Sequence, residues 1–319
     1  MNFQTLLDPP VLFFALGLIS VWVRSDLKVP YAFTKFLSLY LLMSIGFKGG
    51  ISLAKTGLTE EFVACLVGGL LLSAATPFAL FHYLKRKVGA ANAAAIGATY
   101  GSVSAVTFVA ATTWLENRGF EFAGFMIAVL ALMEAPAIVM GLLLARSSEA
   151  EHKQASIKYL LHEALFNGSV FLLMGSLAIG WIVGPAGGTS VEPFVIGLFK
   201  GLLGFFLLDL GIKSGKALQS MEVPKSVLPV AILVPVVGAG IALIWSYSMG
   251  VQPSQAFLMM SLAAGASYIA VPAALKFALP QAKPGLYLTM ALGITFPLNI
   301  LLGLPLYWEA VSWIYALPN

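Results

Sequence analysis

The sequence predicts an all-α polytopic membrane protein, and three observations lead to that fold class. Of its 319 residues, 59% are hydrophobic and 10% are charged, whereas a soluble domain is about one quarter charged. Apolar runs long enough to cross a bilayer recur along the chain. The Lys and Arg residues between these runs concentrate in alternate loops, as expected of a chain that crosses a membrane many times.

The apolar runs predict ten transmembrane helices, because about 20 helical residues cross the hydrocarbon core. The first run has no basic segment before it and no small-residue cleavage site after it, which predicts a retained helix rather than a cleaved signal. The predicted spans are 9–24, 31–47, 62–84, 93–115, 122–145, 159–184, 193–212, 226–249, 255–278 and 284–314.

The positive charges predict the orientation of these spans. One set of alternate loops carries thirteen Lys and Arg residues, and the other carries only Lys48, Lys55 and Arg118. Because positive loops stay on the cytoplasmic side, we expect the linker at 146–158 in the cytoplasm and both termini outside. The protein is accordingly expected in the cell (inner) membrane as a multi-pass protein, and its net charge of +4 does not suggest a nucleic-acid partner.

The two halves of the chain resemble each other at a nearly constant spacing, which predicts an internal repeat. Each half holds five predicted spans, so the second copy enters the membrane from the opposite side. This predicts two inverted five-helix repeats, 1–145 and 159–319, and repeats of this kind are common in secondary transporters. The matched pairs are Gly46/Gly211, Lys48/Lys213, Gly50/Gly215, Leu53/Leu218 and Ser102/Ser267 at 165 residues, Trp22/Trp181 at 159 and Pro136/Pro297 at 161.

Small and hydroxyl-bearing residues interrupt the fourth and ninth spans at matching positions. The fourth carries Thr99, Gly101, Ser102, Ser104 and Thr107, and the ninth contains the sequence AAGASYIAVP from 263 to 272. This predicts two helices broken near the midplane, with backbone N–H groups free to bind an anion. The alternative is that these residues only allow helices to approach closely.

Few ionisable residues lie within the spans. Glu134 is near the middle of the fifth span, where a carboxyl group usually faces a cavity or a partner; the alternative is a protonated structural carboxyl. Asp209 stands four residues before Lys213, a spacing typical of a local ion pair. Asn299 could offer its amide to the cavity.

The sequence carries no signature of an enzyme. It has no Gly-Lys-Ser/Thr phosphate-binding loop and no Ser/His/Asp arrangement. The single cysteine, Cys65, lies in an apolar run, which favours a packed thiol. No cofactor is expected beyond a coupling ion, and a broken-helix repeat favours a secondary transporter over a channel.

Three segments resemble the sodium-dependent bicarbonate transporter family in order and spacing. The segment YGSVSAVT at 100–107 is similar to the family's first crossover segment, and AAGASYIAVP at 263–272 is similar to its second. The segment MEAPA at 133–137 resembles the acidic-x-Pro-Ala motif of the following helix. Tyr268 stands where the family has an aspartate, which marks this chain as a branch that lacks that carboxylate.

The resemblance implies an elevator-like sodium symporter of bicarbonate, often trimeric. It implies a core domain from spans near 62–145 and 226–314 and a gate domain from spans near 9–47 and 159–212. The linker is shorter than in those carriers, which argues against a cytoplasmic regulatory protein. The expected substrate site is Gly101, Ser102, Ser104, Gly265, Ala266, Ser267 and Tyr268; the expected sodium ligands are drawn from Thr99, Ser104, Thr107, Glu134, Ser267 and Asn299.

Two alternatives remain open from the sequence. Tyr268 enlarges and aromatises the pocket wall, which would suit an organic anion carried with sodium or with protons coupled through Glu134. A membrane receptor or scaffold that binds a ligand at the crossover without moving it would carry the same pattern. Ligand binding without flux would distinguish that receptor from a transporter.

Overall fold

The computed structural model describes residues 9–57, 59–146, 162, 168–189, 191–220 and 223–316. These residues form helices joined by short connections and contain no strand, which confirms the all-α prediction. The helices are α1 Pro9–Trp22, α2 Tyr31–Thr56, α3 Glu60–Val88, α4 Ala90–Gly101, α5 Ala105–Glu116, α6 Phe125–Arg146, α7 Gly168–Gly188, α8 Pro193–Gln219, α9 Val230–Ser248, α10 Pro253–Ala263, α11 Ala270–Ala278 and α12 Pro284–Ile314.

Eight helical segments of the described chain are long and apolar enough to cross a membrane, with Ala90–Glu116 taken as one segment across the break between α4 and α5. The protein is therefore a multi-pass membrane protein. The count of ten stays a prediction: α1 has only 14 residues, and the ninth predicted span is divided into the short helices α10 and α11. Most of the predicted linker and the start of the sixth span lie outside the described residues.

Local sequence sets the ends of α3. Thr59 caps its first turn by accepting a hydrogen bond from the Phe62 N–H, and two glutamates follow in that turn. The last turn carries the basic run 85–87, and Gly89 ends the helix with φ of 83°. Negative charge at the start and positive charge at the end both complement the helix dipole. The same basic run is suited to the headgroup region at a membrane surface.

Two closely packed helix pairs contact each other through α2 and α8. Helix α1 packs along α8, and α2 packs along α7. Both pairs approach closely at a glycine: a Cβ on Gly211 would lie 2.2 Å from the Phe14 carbonyl oxygen, and one on Gly46 would lie 2.6 Å from the Leu173 carbonyl oxygen. Small residues of this kind allow membrane helices to pack backbone to backbone.

The remaining helices pack around the two broken segments, which are formed by α4 with α5 and by α10 with α11. Helices α3, α4 and α6 contact one another, and α10 packs against α9, α5 and the last part of α12. Helix α12 is irregular, because it contains π-helical turns at Thr289–Thr295 and Asn299–Gly303. Such turns often occur at functional sites, and residues of both stretches bond to the broken segments, Thr295 to Tyr100 and Asn299 to Ala264.

Candidate functional site

The first break separates α4 from α5. Ser102 is extended, with ψ of 179°, and Ser104 is the N-cap of α5. The Ser104 hydroxyl oxygen accepts hydrogen bonds from the Thr107 N–H at 3.1 Å and from the Thr107 hydroxyl at 2.9 Å. A serine is well suited to this position, because its oxygen satisfies a donor that the first turn leaves unpaired. The predicted break is therefore present, and Ser104 caps the half-helix that follows it, α5.

The second break separates α10 from α11. Residues 265–269 are not helical, and the Ser267 hydroxyl oxygen accepts a hydrogen bond from the Val271 N–H at 3.2 Å. Pro272 lies in the first turn of α11, where its missing N–H would have had no helical acceptor. The proline thus marks the start of the second half-helix, and the break itself lies just before it.

The two breaks touch each other. The Ser267 N–H donates a hydrogen bond to the Thr99 carbonyl oxygen at 2.8 Å. A Cβ on Gly265 would lie 2.8 Å from the Ser104 backbone nitrogen, so this approach requires glycine. Residues more than 160 positions apart in the sequence are therefore held backbone to backbone inside the protein.

A small cavity lies against the crossing and has a volume of about 40 Å³. The N-terminal ends of α5 and α11 both line it, through Ser104 to Val106 and Ser267 to Ala270. Glu134 of α6 adds a carboxyl group and is 7% exposed. The partial positive charge of two helix N-termini and one carboxyl group thus meet in one buried space.

The opposite wall of the cavity comes from α2, α7 and α8 and is mostly apolar. It contains Leu41 and Leu42 of α2, Val170 and Leu173 of α7 and Phe206 of α8, together with the two serines Ser38 and Ser169. The hydroxyl, carboxyl and backbone groups predicted for binding are all on the other wall, which is carried by α5, α6 and the second break. The cavity is therefore polar on one side and apolar on the other.

The structure divides the predicted site residues into two sets. Those that line the cavity are Ser104, Glu134, Ser267 and Tyr268. The Tyr268 ring packs edge-on against Phe296, with centroids 5.4 Å apart. The predicted residues that surround the breaks without lining this cavity are Thr99, Gly101, Ser102, Thr107, Gly265, Ala266 and Asn299.

Three residues of the second set, Thr99, Ser102 and Thr107, carry buried hydroxyl groups, and two of these groups have no hydrogen-bond partner in the described part of the protein. Thr99 is 0% exposed and Ser102 is 1% exposed. The side-chain oxygens of both make no hydrogen bond within the described part of the protein. Buried polar groups are nearly always hydrogen-bonded in folded proteins. Two buried hydroxyl oxygens that make no such bond within the protein are therefore available to a ligand.

Asn299 braces the second break instead of facing the cavity. Its amide nitrogen donates to the Ala264 carbonyl oxygen at 2.7 Å, and its amide oxygen accepts from the Tyr307 hydroxyl at 2.7 Å. The Ala264 carbonyl lies just beyond the end of α10, where carbonyl groups lack helical partners. Asn299 therefore supplies the bond that the broken helix has lost.

Sequence reasoning missed a second brace, Thr295. Its hydroxyl donates to the Ala231 carbonyl oxygen at 2.7 Å, so the Tyr100 hydroxyl, 2.8 Å away, must donate to it. This chain of bonds ties α4 to α12 and α9. The spacing that matches Pro136 with Pro297 also places Thr295 opposite Glu134, which points to the position but not to the carbonyl group that Thr295 bonds.

Asp209 lies apart from the cavity, as its spacing predicted. Its Oδ2 atom accepts from the Lys213 ammonium group at 2.6 Å and from the Thr34 hydroxyl at 2.9 Å. This confirms a local ion pair between Asp209 and Lys213. Among the described residues, no three His, Cys, Asp or Glu side chains lie close enough together to hold a metal ion.

Broken helices that begin at a shared cavity are typical of multi-pass membrane transporters. A sequence model of the Na⁺-dependent bicarbonate transporter superfamily matches residues 9–312. The match covers nearly the whole chain, and the protein therefore belongs to this superfamily of transporters and is not an enzyme. No curated protein sequence matches the chain.

Proposed function

We propose that the protein is a sodium-coupled symporter of bicarbonate or a similar small anion. The observation that carries this proposal is that two half-helices, α5 and α11, both begin at one buried cavity. Their first N–H groups and their dipoles favour a negative charge there. Superfamily membership supports bicarbonate as the anion.

The two capping serines strengthen the proposed anion site. Each uses its hydroxyl oxygen to accept a backbone N–H of its own half-helix, Thr107 for Ser104 and Val271 for Ser267. Each hydroxyl keeps a proton of its own to donate. Donation to an anion is stronger than donation to a neutral acceptor, so Ser104 and Ser267 would bind the substrate from opposite breaks.

The size of the cavity favours a small substrate. One water needs roughly 10–15 Å³ of such space, so about 40 Å³ suits an ion with a few heavy atoms, such as bicarbonate. Tyr268 is half-buried, occupies part of the wall and packs edge-on against Phe296. An organic anion would require this side chain to move.

We place the sodium site behind the anion, at Thr99 and Ser102. Sodium is a hard cation that prefers oxygen ligands, and both side chains offer a buried oxygen that makes no hydrogen bond within the described protein. Carbonyl groups at the breaks supply further oxygens. Glu134 lines the cavity, and its carboxylate would offset the positive charge of the bound sodium ion. Until sodium is bound, the same carboxylate would repel the anion.

The packing supports an inverted repeat and an elevator-like movement. Gly211 of α8 contacts α1 at Phe14, and Gly46 of α2 contacts α7 at Leu173. Phe14 and Leu173 are 159 residues apart, and the two glycines are 165 apart, which are the spacings of the predicted repeat. In an inverted repeat, both contacts would be the same contact made by two copies. The pairs α1/α8 and α2/α7 would form the gate, and the polar wall would move past its apolar surface.

The proposed orientation and assembly of the protein follow from its charge distribution and from the family resemblance. With ten spans, both termini would be extracytoplasmic in the inner membrane, as the Lys and Arg distribution indicates. The core would comprise the spans of 62–145 and 226–314. A homotrimer is proposed by resemblance alone. Crosslinking in native membranes would measure this assembly directly.

Uptake of labelled bicarbonate into proteoliposomes tests the function. An inward sodium gradient should drive accumulation, and replacing sodium by potassium should abolish it. Ser104→Ala and Ser267→Ala should each lower uptake at least tenfold, because each removes a hydroxyl donor and a helix cap, the latter worth ~1 kcal/mol. Ser38→Ala is the matched control, since Ser38 lines the apolar wall and should leave uptake unchanged.

Three outcomes would contradict the proposal. Folded protein that moves no bicarbonate under either cation would remove the substrate, and organic anions would then be screened with sodium and proton gradients. Bicarbonate binding without uptake would favour a receptor. Uptake that survives in both serine variants would show that the anion binds elsewhere.

A further inference from the structure

A second cavity lies at the end of α2 that is remote from Thr34. Its volume is about 690 Å³, and its lining residues include Lys48, Ser52, Lys55, Glu116, Phe120 and Glu121. We call it the outer cavity, because the charge distribution predicts this side of the protein to be extracytoplasmic. It is far larger than the central cavity described above.

The same two helices line both cavities. Helix α2 contributes Leu42 to the central cavity and Lys48 to the outer one, and α5 contributes Val109 and Glu116 in the same order. With a rise of 1.5 Å per residue, the two cavities are separated by roughly 9–11 Å along these helices. Ile45 of α2 lies in this interval and is 2% exposed. Packed side chains therefore separate two spaces that are aligned along one interface.

An ion pair closes this interface at its outer end. The Lys48 ammonium group lies 2.6 Å from Oε1 of Glu116 and joins α2 to the end of α5. One turn further, the Ser52 hydroxyl accepts a hydrogen bond from the Gly124 N–H at 3.1 Å. A Cβ on Gly124 would lie 2.1 Å from the Gly49 carbonyl oxygen, so the backbones are in direct contact there.

We propose that the Lys48–Glu116 pair is the outer latch of the transport path, which holds α2 against α5 while the central cavity is closed to the outer side. This inference rests on the proposed transport function, since it gives the α2/α5 interface the role of the outer route to the substrate. Breaking the pair weakens the contact between the half-helix that carries Ser104 and the apolar wall opposite it.

The size of the effect follows from the exposure of the pair. The two side chains are 22% and 30% exposed, and an ion pair that water reaches in this way contributes at most ~1 kcal/mol. At 1.36 kcal/mol for each factor of ten, this corresponds to roughly a five-fold change in the open fraction. The backbone contact between Gly124, which precedes α6, and Gly49 of α2 does not involve the pair and would remain when the pair is lost.

Cysteine labelling measures the latch without substrate. Ser38→Cys places a thiol at the central cavity, in a Cys65→Ala background that removes the native thiol. A membrane-impermeant maleimide is applied to intact cells and to inverted vesicles. Lys55→Cys, at an exposed position in the outer cavity, identifies which preparation presents the outer side, so that the test does not depend on the predicted orientation.

Glu116→Gln should raise the labelling rate of the thiol introduced by Ser38→Cys from the outer side by up to about five-fold, since the pair contributes at most ~1 kcal/mol. The charge reversal Lys48→Glu with Glu116→Lys restores an ion pair and should return the rate towards that of the unmodified latch. Glu121→Gln is the matched control, because it removes the same charge from the same cavity outside the pair, and its rate should not change.

Two results would overturn the latch. A labelling rate at position 38 that is equal with and without Glu116→Gln would show that the pair does not close the interface. An increase that the charge reversal leaves in place would show that attraction between the two charges is not its cause. Because labelling needs no substrate, either result can occur while bicarbonate uptake is intact, and a failure of uptake leaves the labelling result valid.

Discussion

The substitution Gly265→Ala tests whether the crossing of the two breaks forms the substrate site. The added Cβ would lie 2.8 Å from the Ser104 nitrogen and 3.1 Å from the Leu262 carbonyl oxygen. Ordinary van der Waals contacts begin near 3.4 Å. The two backbones must therefore separate by about 0.6 Å, which is the difference between this 3.4 Å limit and the 2.8 Å distance to the Ser104 nitrogen. Overpacking of this kind costs roughly 1–3 kcal/mol of folding free energy. A shift approaching 1 Å at a binding constellation lowers activity by up to ~100-fold.

Gly265→Ala should therefore lower sodium-dependent bicarbonate uptake at least tenfold while the protein still purifies as a folded membrane protein. Uptake into proteoliposomes and thermal unfolding in detergent would be measured on the same preparations. Gly240→Ala in α9 is the control, because a Cβ there meets nothing within 4 Å and both uptake and stability should be retained. Normal uptake by Gly265→Ala would refute the assignment of the crossing as the site.

Three further substitutions separate structural from functional roles. Asp209→Asn should lower the free energy of unfolding by ~1–3 kcal/mol, since it breaks the ion pair with Lys213, yet uptake per folded molecule should be unchanged. Thr295→Val deprives the buried Tyr100 hydroxyl of its acceptor and should cost ~1–3 kcal/mol in thermal unfolding. Glu134→Gln should remove most of the difference in uptake between sodium and potassium; an unchanged sodium requirement would exclude Glu134 from ion coupling.

The sequence indicated both breaks at the residues where the structure has them. Gly101 to Ser104 and Gly265 to Tyr268 combine small residues with hydroxyl groups in otherwise apolar runs. Such residues lower helix stability and compete for backbone hydrogen bonds, so the signal is local and can be read without a structure. The ion pair of Asp209 was predictable for the same reason, because its partner is one helical turn away.

The roles of Asn299 and Thr295 could not be read from the sequence in the same way. Both bond to backbone carbonyls that are far away in the chain, at Ala264 and Ala231. A carbonyl group is present at every residue, so no sequence pattern announces which one has lost its helical partner. Only the folded arrangement shows that these two side chains brace the site.

The sequence by itself determined that this chain spans a membrane many times and that two of its helices are broken. These two properties depend on composition and on short-range pattern, since lipid excludes polar residues and glycine and serine interrupt helices locally. The family was recognised differently, through three segments that resemble the bicarbonate transporters. The tertiary structure decided which hydroxyls face the cavity, that Ser267 bonds to Thr99, and that Lys48 meets Glu116. Those facts depend on contacts between distant segments, whose geometry arises only when the helices pack.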